Sequence, residues 1–205
     1  MPDIDTPSPN RHIRLSEAAW RETVSAARDT GPVNMETVAQ IALNAHAGQV
    51  DKAGRDYVDG HLRPIAQAAA VFGEEAEAAA WLHDIIEDTP TTADELLGLG
   101  VPQRVVAAVQ SVTRLDGEPY EELIGRAGAD PCSRYVKLAD NAWNITCNPA
   151  LAATRPDWAE RMLRERYQPA RARLLAACGL VPDSDVVRRM QAVLDRHYAR
   201  LVPRA

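Results

Sequence analysis

The chain has 205 residues and a formal net charge of −6, with an isoelectric point near 5.4. That length suits one well-buried domain with appended segments, and the acidic balance, with no basic stripe interleaved with aromatics, excludes a general nucleic-acid binder. No apolar run approaches the ~20 residues of a membrane span, and the N-terminus lacks the charged-then-apolar order of a signal peptide, so a cytoplasmic protein with no membrane partner is expected.

Helices are expected almost throughout. Residues 1–15 carry Pro and Asp and read as disordered, and a helix over 16–29 opens at Ser16 and ends near Gly31-Pro32. Asn34 caps the next helix, whose apolar face carries Val38, Ile41, Ala42 and Ala45. Residues 48–61 read as a Gly- and Asp-rich loop long enough to be functional, with a short β-hairpin over 52–60 the one departure from helix. Helices over 63–72 and 74–88 follow. Thr92-Ala93-Asp94-Glu95 has capping-box spacing, and Pro102 suits the first turn of a helix running to about Thr113. After a turn over 115–119, helices are expected over 119–127 and 131–147, the second stopping before Pro149. Further helices over 158–177, weakly interrupted at Pro169, and over 183–201 are expected to pack on the core. The fold class is all-α, a single compact helical bundle. Cys132, Cys147 and Cys178 are odd in number and widely separated, so they form neither a disulfide framework nor a zinc knuckle.

His83 and Asp84 stand side by side in the apolar run Ala80-Trp81-Leu82-His83-Asp84-Ile85-Ile86, with Glu87 and Asp88 directly after it. On a continuous helix the pair lies roughly 100° apart, and the two acids project one turn further along the same side. Burying an imidazole and three carboxylates together costs several kcal/mol unless a cation or hydrogen-bonding partners compensate. A divalent metal does so; a solvated acidic helix end is the plainer alternative. A metal site wants three or four ligands, and His61 and Asp140 are further candidates. Lys137, Asp140 and Asn144 share one face of an otherwise apolar helix. The plainer alternatives are an exposed loop histidine at 61 and an Asp140 paired with Lys137 or an arginine.

Taken in order, the motifs are Ala45-His46-Ala47-Gly48-Gln49, Lys52-Ala53-Gly54 with Tyr57, and His61. Leu82-His83-Asp84-Ile85-Ile86-Glu87-Asp88-Thr89 with Thr92, Val112-Thr113-Arg114-Leu115, and Val136-Lys137-Leu138-Ala139-Asp140 with Asn144 complete the series. Together they resemble the hydrolase domain of RelA/SpoT-type alarmone enzymes, within the HD superfamily of metal-dependent phosphohydrolases. The match covers residues 34–148, inside an HD-type domain over 16–205 whose C-terminal packing helices occupy 155–203.

The resemblance implies that His61, His83, Asp84 and Asp140 hold one divalent metal, usually manganese, and that Glu87 and Asp88 orient and activate the attacking water. It implies that Lys52 and Tyr57 line the nucleotide pocket and that Asn144 lies near the nucleotide's ribose and phosphate; Lys137 and Arg55, as nearby cations, are read as offsetting charge on the substrate. His46 is read as a packing or hydrogen-bonding histidine. The implied activity is release of pyrophosphate from the 3′ position of guanosine tetra- or pentaphosphate, a small-molecule partner; a homo-oligomer is compatible.

The chain departs from the family pattern around this site. Gly60 reads as a one-residue insertion before His61, and Leu62 replaces a proline. Asp51 stands where a basic residue is usual, which disfavours a highly anionic nucleotide. Asn141-Ala142-Trp143 replaces Arg-Leu-His. Two other readings therefore stay open: an HD phosphohydrolase acting on a different nucleotide or dinucleotide phosphate, and a metal-binding regulatory module without turnover.

Overall fold

The structure, a computed structural model, describes residues 32–201. The disorder expected over 1–15 and the helix expected over 16–29 lie outside the described residues.

Helix α1 spans Met35–Ala45 and opens as its sequence directs, with Asn34 Oδ1 accepting from the Thr37 N–H at 3.0 Å. The segment after it is not a free loop. Val50 and Asp56 form one antiparallel bridge, which is all that stands of the hairpin expected over 52–60. The Asp51 carboxylate organises the turn between them, its Oδ1 accepting from the Ala53 and Arg55 N–H groups. Residues Val58–Leu62 then form a π-helical turn that runs directly into α2, Arg63–Ala69. An extra residue within a helix is accommodated by widening one turn to i→i+5 bonding, and the Arg63 N–H to Val58 O bond has that spacing. Gly60 thus lies within helix, and His61 is delivered from a helical turn rather than from the loop expected over 48–61.

The helix expected over 74–88 is broken at its most polar point. A short 3₁₀ turn, Ala70–Phe72, and Gly73 at φ 120° lead into α3, Glu74–Trp81, and α4 covers Ile85–Asp88. Leu82 and Asp84, at φ near −100° and ψ near 0°, carry the chain between them. Helix α5, Ala93–Gly98, begins with the capping box read from Thr92 and Glu95. Helices α6, Gln103–Val112, and α7, Tyr120–Ala129, follow.

Helix α8 spans Ser133–Ala152 and continues through Pro149 instead of stopping before it. A proline inside a helix forfeits the hydrogen bond its own N–H would make, and the ladder resumes with Ala153 N–H to Pro149 O at 3.3 Å. The C-terminal segment comprises α9, Pro156–Met162, a second π-helical turn, Leu163–Tyr167, then α10, Gln168–Ala177, and α11, Asp185–Leu201. Pro169 falls in the first turn of α10, where its missing N–H costs little.

Helix α2 lies at the centre, packed against α3, α8 and α11. Buried alanines stand on two of these packed helices, Ala66, Ala68 and Ala69 on α2 and Ala76 and Ala78–Ala80 on α3, and such small side chains let helices approach closely. Trp143 and Leu138 of α8 and Leu62 of the π-helical turn are among the largest fully buried side chains. Helix α8 is also the source of buried polar groups, since Lys137, Asp140 and Asn141 lie among its apolar residues. Among the described residues no helix is long and apolar enough to cross a membrane.

Candidate metal centre

The break between α3 and α4 determines how His83 is presented. Its Nδ1 lies 2.8 Å from the carbonyl oxygen of Ala80. A carbonyl only accepts, so Nδ1 carries a proton, and in the neutral ring Nε2 keeps its lone pair. That Nε2 is buried without a hydrogen bond, although Asp84 Oδ2 is only 2.9 Å away; the two approach outside hydrogen-bonding geometry. With the ring neutral, two lone-pair atoms so placed repel unless a proton or a metal ion joins them.

His61 enters from the π-helical turn. Its Nε2 lies 3.2 Å from Asp84 Oδ2 and 3.9 Å from Asp140 Oδ1, and its ring centroid is 5.3 Å from that of His83. Ligand atoms of His61, His83 and Asp140 all fall within 4.8 Å of one another. Asp84 stands beside this trio, against both imidazoles. Donors ~2.1 Å from a shared ion stand ~3–4 Å apart, so the arrangement fits one divalent cation. Two imidazoles with carboxylates suit manganese, iron, cobalt or zinc.

The electrostatics show how strongly the cluster calls for positive charge. Burial alone would lower the His83 pKa, but Asp84 outweighs it and holds the imidazolium up to about 9. Burial would raise the Asp84 carboxyl, yet His83 and His61 pull it well below its usual range. Asp140 is likewise lowered, because Lys137 at 2.8 Å overcomes its desolvation.

Neighbouring residues fix these groups in place. Tyr57 donates its hydroxyl to Asp84 Oδ2 at 2.6 Å and stands 3.2 Å from Asp88 Oδ2. Asn144 Nδ2 donates to Asp140 Oδ1 at 2.6 Å and to the Asp140 carbonyl at 3.0 Å. Glu87 Oε2 accepts the backbone N–H of Arg114 at 3.2 Å. The Asp88 carboxyl is pushed up to about 7 by burial, and then by Asp84 and Glu87. Behind Asp88, Gln49 Nε2 donates to its carbonyl oxygen at 3.1 Å while Gln49 Oε1 faces His46 Nδ1 at 2.8 Å. His46 also stacks on the Tyr57 ring, with centroids 5.1 Å apart, and so acts in packing and hydrogen bonding.

All of this borders one cavity of about 390 Å³. Every site residue named from the sequence lines it except His83, which is buried in its wall. Two of the expected charges are already matched. Arg55 Nε and Nη2 both lie 2.7 Å from Asp51 Oδ2, so the unexpected acid and the expected cation neutralise each other. Lys137 is paired with Asp140.

The cavity wall also includes residues that sequence reasoning gave no role: Arg114, Tyr120, Cys147, Met162, Arg166 and Tyr167. Arg114 sat within a recognised motif. Arg166 and Tyr167 lie in helical sequence that reads simply as packing, and no periodicity marks the π-helical turn that brings them to the site.

No family model matches the chain. It is 31% identical over 153 residues to the bifunctional (p)ppGpp synthase/hydrolase SpoT of Escherichia coli, covering 65% of this chain and 21% of that protein. It is 28% identical over 143 residues to guanosine-3′,5′-bis(diphosphate) 3′-pyrophosphohydrolase MESH1 of Mus musculus, covering 63% of this chain and 76% of that one. The chain thus spans about a fifth of the length of the bacterial relatives and most of the mouse one. A solved metazoan ortholog of SpoT, which hydrolyses ppGpp, superposes with a TM-score of 0.58 at 21% identity, over 84% of this chain and 98% of that one. In sequence and in fold the chain resembles the hydrolase domain of RelA/SpoT-type enzymes.

Proposed function

We propose that this chain is a divalent-metal-dependent phosphohydrolase that releases pyrophosphate from the 3′ position of guanosine 3′,5′-bis(diphosphate). The observation that carries the reading is the convergence of His61, His83 and Asp140 within 4.8 Å, beside Asp84, on a cavity lined by Glu87 and Asp88. His61, His83, Asp84 and Asp140 would hold the ion, and manganese is the metal we assign. When bound, such an ion lowers the pKa of water and polarises phosphate oxygens.

The chain's own groups then have distinct tasks. Glu87, held by the Arg114 N–H, takes the proton from the attacking water as its oxygen bonds to phosphorus. The bond between phosphorus and the 3′ oxygen breaks, and that oxygen takes up a proton as pyrophosphate leaves. Asp88 lines the same cavity beside Glu87, and burial with its acidic neighbours raises its carboxyl in the metal-free protein, so it is suited to pass that proton. Tyr57 orients Asp84, and Asn144 and Lys137 orient Asp140. Lys52, Arg55, Tyr57, Lys137 and Asn144 border the nucleotide; Arg55 does so as one half of the Asp51 pair.

The Asp51–Arg55 pair also supports a second reading, hydrolysis of a different nucleotide phosphate, because it leaves that wall with less net positive charge than a tetraphosphate favours. Incubating the manganese-loaded protein with guanosine 3′,5′-bis(diphosphate) and a panel of other 3′- and 2′-phosphorylated nucleotides separates the two. Pyrophosphate release from the guanosine compound supports the first. Turnover of another member alone supports the second, and stoichiometric metal binding without turnover of any leaves a regulatory module.

A further inference from the structure

The cavity's cations differ in how they are already engaged. Arg55 faces Asp51 and Lys137 faces Asp140, and Arg114 gives its Nε–H to the Glu118 carbonyl at 3.0 Å. Arg166 has no carboxylate within ion-pairing distance among the described residues. Its guanidinium lies over the Tyr120 ring, 4.0 Å from the centroid, and its Nε is buried without a hydrogen bond. A half-buried guanidinium with an unmet donor retains a strong demand for an anion. The aromatic face holds its plane, so little side-chain freedom remains to be lost when an anion binds.

Among the described residues Lys52 also lacks a carboxylate partner, but it is exposed and on a flexible stem, and fixing it on a ligand costs more side-chain entropy. Arg166 comes from the π-helical turn of the C-terminal segment and Tyr120 from the start of α7. The pair therefore forms a piece of cavity wall separate from the elements that carry the His-Asp cluster. We propose that Arg166, held flat on Tyr120, is a second anion-binding point that receives a phosphate group of the substrate other than the one being cleaved. The inference rests on the nucleotide phosphohydrolase reading and deepens it: the substrate class becomes nucleotides phosphorylated at two positions, one group meeting the His-Asp cluster and the other Arg166. A singly phosphorylated nucleotide leaves the guanidinium unmatched. Because Tyr120 already covers one face of the guanidinium, the edge with its planar N–H fork is what it offers a ligand.

The test compares binding of guanosine 3′,5′-bisphosphate and guanosine 3′-monophosphate to the manganese-loaded full chain by titration calorimetry, in wild type, Arg166→Gln and Arg166→Lys. The wild type is expected to prefer the bisphosphate. Arg166→Gln should weaken the bisphosphate about tenfold or more while leaving the monophosphate within about twofold. Arg166→Lys, which keeps the charge but not the fork, should fall between, and it carries the test if the glutamine variant does not fold. Unchanged bisphosphate affinity in Arg166→Gln overturns the proposal, as does an equal loss for both nucleotides, which would mean that Arg166 stacks on the base or shapes the wall. Turnover is a separate readout: failure to hydrolyse 3′-diphosphates with these affinities retained removes the proposed reaction and leaves the anion subsite standing.

Discussion

Trp143 donates its indole Nε1–H to the carbonyl oxygen of Gly60 at 2.9 Å. The two residues stand in separate motifs, 83 residues apart in the chain, and the structure joins them. In a regular α-helix the Gly60 carbonyl would accept from the N–H of residue 64, which is Pro64 and has none. The indole supplies a donor, so the turn that delivers His61 is braced from α8, the helix that carries Asp140. Replacing Trp143 by Phe should keep most of the packing but leave this buried carbonyl short of a donor. A loss of about 1–2 kcal/mol in stability is expected, with weaker manganese binding, as read by urea unfolding and metal titration.

Gly60 is confined from the other side. A Cβ there would stand 2.7 Å from Asp51 Oδ2 and 3.3 Å from Arg55 Cβ, and Asp51 is not free to swing because it holds Arg55 and two backbone N–H groups. Gly60→Ala should therefore destabilise by roughly 1–3 kcal/mol, the usual range for overpacking. Asp51→Ala in the same chain should recover part of the steric cost, a non-additivity measurable in a double-mutant cycle.

Arg126 and Glu118 form a buried pair at 2.7 Å that organises the loop after α6. Arg126 also donates to the carbonyls of Ser111 at 2.7 Å and Thr113 at 2.8 Å, and Glu118 Oε2 accepts the Leu115 N–H at 3.0 Å. Between those anchors lies Arg114, whose N–H holds Glu87. Arg126→Leu strands Glu118 and should cost about 3–5 kcal/mol. Adding Glu118→Leu should restore part of the stability by chemical denaturation, without restoring the loop's hold on Glu87.

Asp88 yields a pH prediction. Its folded-state pKa of about 7 lies above the roughly 3.9 of an unfolded aspartate. The native state therefore binds this proton more tightly than the unfolded one. The resulting stabilisation is complete below about pH 3.9 and is lost as pH rises toward 7. Asp88→Asn removes the dependence. In chelator, the variant should match wild type near pH 4 and exceed it by up to about 4 kcal/mol at pH 8; a difference that shrinks with rising pH would contradict the assignment.

The sequence disclosed the helical class and the paired motifs because both rest on local signals. Asn34 and the Thr92-Glu95 box cap where capping chemistry dictates, and the Lys137, Asp140 and Asn144 spacing put three polar groups on one helix face. It concealed whatever depends on non-local contact. The break at Leu82 interrupts a run that reads as continuous helix, and the His83 ring helps to satisfy the opened end through Ala80 O. Gly60 reads as a loop insertion because widening a helical turn leaves no periodic mark. Arg166 reaches the cavity only through the second such turn, and the Asp51–Arg55 pair, though only four residues apart, depends on a turn geometry that the spacing alone does not set.

In the proposed site the π-helical turn brings His61 to the same ion as His83, Asp84 and Asp140. Anomalous scattering at the manganese edge from crystals of the manganese-loaded protein tests this directly. One peak per chain is expected, within about 2.0–2.3 Å of the His61 and His83 Nε2 atoms and of carboxylate oxygens from Asp84 and Asp140. A peak elsewhere in the cavity, or one coordinated by His83 and Asp140 with the His61 imidazole turned away, would contradict it.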